Sequence, residues 1–153
     1  MRLATLGWVL VVVAVVAIIA VTVFAILRSG ETDADRACAL VDGAVADAFG
    51  SSTRIEPDGG DCVIHRGRNV IVVHIFEDEA TAADFEDSRR AVKETDSSVT
   101  DARVSGGDAF FADDRTTLWV WDPDSRLEFG LFTEAHGGPR LVALADRILA
   151  GNG

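Results

Sequence analysis

From residue 6 to residue 27 the chain carries no charged or amide side chain, and Thr22 is the single hydroxyl among 22 positions. A helix of that length reaches about 33 Å, enough to cross a hydrocarbon core of about 30 Å. Val and Ile dominate the run, yet lipid forces every backbone polar group to be satisfied within the segment, so a helix is dictated there. The pattern predicts an N-terminal transmembrane signal-anchor over residues 1–28. Residues 29–35 read as a polar linker, and 36–153 as a separate domain in which apolar positions recur at helical and strand periods.

Within that domain, Cys38, Val41, Val45, Ala48 and Phe49 form a helical stripe over 36–49, closed by Gly50 as a left-handed cap. Residues 51–60 read as a loop, with Pro57, Asp58, Gly59 and Gly60 as turn formers. Strands follow at 61–66 and 69–76, joined through Gly67 and Arg68. The second is apolar on both faces, which predicts a central strand covered on each side. A helix over 80–95 carries a thin stripe of Ala82, Phe85, Arg89 and Val92, and should be half-exposed. Asp78 is one candidate for its cap; Thr81 with Asp84 offers a capping box one step later. Strands are then expected at 98–104, 108–112, 116–122 and 126–134. A last helix starts at Pro139 and buries Leu141, Leu144, Ala145 and Ile148. The order α-β-β-α-β-β-β-β-α is an α+β fold: a mostly antiparallel sheet with three packed helices.

Charge gives the anchor a direction. Arg2 and Arg28 flank the apolar run almost evenly, but the amino flank is too short to hold a domain, and Glu31, Asp33 and Asp35 follow at once. The expected placement is single-pass in the cell membrane, N-terminus cytoplasmic and C-terminal domain extracytoplasmic. A cleavable signal peptide is the competing reading, although the run is longer than usual for one. Residues 29–153 hold all 25 acidic residues against 12 basic ones, a formal charge of −13. Such a surface repels nucleic acid and anionic headgroups. In an oxidising compartment Cys38 and Cys62 pair as one disulfide; two buried thiols are the alternative.

The last hairpin holds the candidate binding residues. Pairing Trp121 with Arg126 puts Leu118, Val120, Leu127, Phe129 and Leu131 on one face, the core. The other face carries Trp119 and Trp121, with Phe110 opposite Trp119, Arg126 beside Trp121 and Trp119 near Gly130. Either a helix covers this face and the tryptophans are core, or the face is open and binds a ligand or protein.

Other chemistry is thin. His65, His74 and His136 are scattered and match no zinc-ligand spacing. Asp58, Asp61, Asp113, Asp114, Asp122 and Asp124 crowd into loops without an EF-hand pattern. No G-x-S-x-G or phosphate loop occurs, and tyrosine is absent. No catalytic residue, metal ligand or cofactor is therefore assigned.

The segments Cys38-Ala39-Leu40-Val41, Ala48-Phe49-Gly50, Cys62-Val63-Ile64, Gly106-Gly107-Asp108-Ala109-Phe110 and Leu118-Trp119-Val120 resemble small exported actinobacterial two-cysteine domains of unknown function. Many of those are lipoproteins, and similar modules form extracellular sensor regions of membrane kinases. The resemblance implies an α/β sandwich, secretion and a disulfide, and transfers no catalytic residue. The chain is thus expected to be a membrane-anchored, non-catalytic extracytoplasmic binding or sensing domain, or else a structural component of a cell-envelope complex. Its expected partners are membrane lipid through residues 6–27 and an envelope protein or small molecule.

Overall fold

The computed structural model describes residues 32–50, 53–134 and 137–151. The expected anchor at 6–27 and His136 lie outside them. Among the described residues no helix is long and apolar enough to cross a membrane. Helix α1 spans Asp33–Phe49, followed by strands β1 Arg54–Asp58, β2 Asp61–Arg66 and β3 Asn69–Glu77. Helix α2 spans Ala82–Thr95. Strands β4 Thr100–Ala102, β5 Asp108–Ala112, β6 Thr117–Asp122 and β7 Leu127–Thr133 precede helix α3, Gly138–Gly151.

All seven strands join one antiparallel sheet in the order β1-β2-β3-β7-β6-β5-β4. Its first face carries Cys62, Ile64, Ile71, Val73, Phe111, Leu118, Val120, Phe129 and Leu131, and packs against α1 and α3. Each buried aliphatic side chain there contributes about 2 kcal/mol. The Cys38–Cys62 disulfide ties α1 to β2, with Cα atoms 4.9 Å apart. Helix α2 lies on the second face, where Phe85 meets Phe110 and Trp121.

Several expectations change in detail. Helix α1 starts at Asp33, so it takes in three residues assigned to the linker. Strand β1 occupies part of the expected loop, and the order becomes α-β-β-β-α-β-β-β-β-α. Pro57 is tolerated there because β1 is an edge strand, where a missing N–H breaks no outer ladder. Gly59 and Gly60 turn the β1–β2 hairpin at φ 60° and 108°, a shape that side chains resist. The cap of α2 is Thr81, with the full capping box to Asp84; Asp78 instead takes a bidentate contact from Arg36 at 2.8 and 2.5 Å. Covering of β3 on both sides is also corrected. Its second-face residues Val72, His74 and Phe76 are only half-buried, because α2 stops short of them.

Candidate functional site

A β-bulge shapes the second face. Ile75 pairs with Phe129 and Glu77 with Glu128, leaving Phe76 as the extra residue. A regular strand would put Phe76 and Glu77 on opposite faces; the bulge sends both to the second one. Phe76 then lies over Gly130, which has no side chain to obstruct it: a Cβ there would sit 2.6 Å from the Phe76 ring and 2.9 Å from Phe132.

From that point an aromatic row crosses the sheet. Phe76 stacks on Trp119 with centroids 4.0 Å apart and planes within 5°. Trp119 stacks on Phe110 at 5.5 Å, and Phe110 meets Phe85 of α2 at 5.4 Å. His74 and Phe132 meet Phe76 edge-on at 5.0 and 6.1 Å. Burial divides the row. Phe110 and Phe85 are 0% and 2% exposed beneath α2, whereas Trp119, Phe76, Phe132, His74 and Val72 are half-buried on the side that α2 leaves uncovered. The helix therefore covers one half of the face and leaves the other half-buried.

The register differs from expectation by two residues without exchanging faces. Trp121 pairs with Glu128, Trp119 with Gly130 and Thr117 with Phe132. Phe110 does pair with Trp119. Arg126 is not Trp121's cross-strand neighbour; it precedes β7 and donates to the Glu79 carbonyl at 3.0 Å. The Trp121 indole donates to the Ala80 carbonyl at 3.1 Å. Trp121 and Arg126 thus hold the connection that leads into α2, Phe110 forms the floor, and Trp119 faces the open half.

Beneath α2 lies Glu128, 1% exposed; among the described residues its Oε1 has no hydrogen-bond partner and its Oε2 meets the Ser88 hydroxyl at 3.4 Å. Burial pushes this carboxyl above the usual range; the Ser88 contact opposes that, and Glu77 and Asp84 add to it. Sequence reasoning missed it, because strand alternation placed Glu128 on the tryptophan face but could not show that α2 seals it.

Two histidine–carboxylate contacts border the open half: His74 Nδ1 lies 2.5 Å from Asp61, and His65 Nε2 lies 2.8 Å from Glu56. Among the described residues no three His, Cys, Asp or Glu side chains are placed to hold a metal ion. Two of the loop aspartates bond within their own turns. Asp122 accepts from the Asp124 amide and the Ser125 hydroxyl, and Asp113 accepts from the Thr117 hydroxyl.

Comparisons with protein-family models, with curated proteins and with solved structures find no match to this chain. The site rests on its own geometry. That geometry offers apolar and aromatic contact beside carboxylates.

Proposed function

We propose that the chain is a membrane-anchored, non-catalytic extracytoplasmic binding domain, and that the uncovered half of the second sheet face is its recognition surface. The carrying observation is that half-covered face: Phe76, Trp119 and Phe132 stay half-exposed beside a helix whose own buried residue is Phe85. An aromatic surface exposed at a sheet costs free energy in water, and such patches mark contact sites. The apolar run at 6–27 supports membrane anchoring. The Cys38–Cys62 disulfide supports an oxidising compartment, and so the outer side of the membrane.

The reading as an assembly component of an envelope complex uses the same surface. A broad sheet face suits a polypeptide partner more than an enclosed small molecule. The cleft among Phe49, Ile64, Ile71 and Leu141 belongs to the opposite face and is only about 30 Å³, room for about one water.

Native purification of the full chain in mild detergent tests the proposal. A bound species is expected that is lost with Phe132→Gln and retained with Asp47→Asn on the exposed side of α1. A bound set that is the same for both variants contradicts it.

A further inference from the structure

We infer that the occupant of the open face is a basic, apolar polypeptide segment, one that sets aliphatic or aromatic side chains on Phe76, Trp119 and Phe132 and Lys or Arg at their border. The inference rests on the recognition surface proposed above. Register identifies the charges on that half. Arg54, Glu56 and Asp58 of β1 lie opposite His65, Val63 and Asp61 of β2. Val63 and His65 lie opposite Val72 and Val70 of β3. Val72 lies opposite Phe132, and Glu77 opposite Glu128, on β7. The strand positions bordering the aromatic centre therefore present Glu56, Asp58, Asp61 and Glu77 against Arg54, His65 and His74; His65 contacts Glu56 and His74 contacts Asp61, which leaves Asp58 and Glu77 as the carboxylates without a histidine beside them. Arg54 is already committed to Glu56 at 3.4 Å.

The whole domain reinforces the local sign, with 25 acidic residues against 12 basic ones after residue 28. A second copy of this chain would bring the same excess against itself, and anionic lipid headgroups would be repelled in the same way. A basic segment gains steering from the domain field and contact from the rings. Aromatic faces also accept Lys and Arg directly through cation–π contact.

The test uses the full chain in nanodiscs of zwitterionic lipid, with empty nanodiscs as the blank. Three labelled 14-residue probe peptides share alternating leucines and differ in carrying Lys, Gln or Glu between them. Fluorescence anisotropy at low salt should show the Lys probe binding at least tenfold more tightly than the Glu probe. The paired change Asp61→Asn, Glu77→Gln should weaken the Lys probe about tenfold. Asp42→Asn with Asp47→Asn on α1 removes the same charge and should cost less than twofold. Trp119→Ala should abolish binding; because Trp119 is stacked between two rings, Phe132→Gln serves as the second variant, with circular dichroism checking that each folds.

Equal or tighter binding of the Glu or Gln probe, if sensitive to Phe132→Gln, overturns the basic partner and leaves the recognition surface standing. Lys-probe binding that ignores both the ring and the rim variants is non-specific charge attraction and overturns both. Binding of none of the probes overturns the basic partner.

Discussion

Glu128 is the residue whose surroundings conflict most with its ionised form. Burial raises its carboxyl in the folded protein above its value in the unfolded chain. Well below the ordinary carboxylate range both states hold the proton and the residue is neutral to stability. As pH rises, the unfolded chain ionises first, so stability falls until the folded carboxyl also ionises and stays lower above that. Glu128→Gln is therefore expected to raise the melting temperature at pH 7, with the difference shrinking toward pH 4, as paired thermal melts at each pH would show. Asp78, Asp84 and Asp96 are shifted downward by the Arg36 side chain, by Thr81, and by the backbone amides of Asp113 and Ser98 respectively. They act in the opposite sense, losing stabilisation on acidification, which is why the variant and parent must be compared at each pH. A second residue-scale test concerns Asp113, Asp114 and Arg115, whose φ values of 49°, 51° and 69° place three successive side chains in the left-handed region. Asp96 and the Ser98 hydroxyl accept the Asp113 and Asp114 amides and hold this turn. Asp114→Gly relieves one such residue while keeping the amide, and thermal melts should show a gain of up to about 1 kcal/mol after the added unfolded-state entropy is subtracted. The sequence marks 113–115 as a tight turn, but left-handedness without glycine has no sequence signature; it follows from contacts with a segment fifteen or more residues away.

At the scale of elements, the disulfide and the glycines carry the sharpest expectations. Closing a loop of 24 residues' separation, Cys38–Cys62 constrains the unfolded chain by about 3.5 kcal/mol. Cys38→Ala with Cys62→Ala should lower stability by roughly that amount in denaturant melts, with hydrogen exchange rising first in α1 and β2. Gly107 precedes β5 where a Cβ would lie 2.6 Å from the Trp121 carbonyl oxygen, a backbone atom with little room to move. Gly107→Ala should cost about 1–3 kcal/mol, measurable as a shifted denaturant midpoint. Periodicity and turn residues make most elements legible in the sequence, β2 and β5 to the residue. Strand β1 was hidden because Arg-Ile-Glu-Pro-Asp pairs on one side only and needs no apolar alternation. The assignment of hairpin faces survives the two-residue register difference because side chains alternate with period two.

At the scale of the molecule, what matters is that, among the described residues, three helices do not cover two sheet faces. Helices α1 and α3 seal the first face, and of the described elements α2 alone reaches the second, at the β6–β5 side. The aromatic composition of that face is readable in Trp119 and Trp121, but its division into a buried and an open half is not. That division depends on where a thin-striped helix comes to rest and on a bulge at Phe76 that no local residue pattern announces. The proposed function places a partner on the open half. The most direct measurement places a photoreactive phenylalanine analogue at Val72 in the full chain, in living cells, with the same analogue at Asp47 on α1 as the reference. One discrete adduct is expected from position 72, lost with Phe132→Gln, and none from position 47; adducts from 47 alone, or a yield from 72 that Phe132→Gln does not change, rule out a partner on this face.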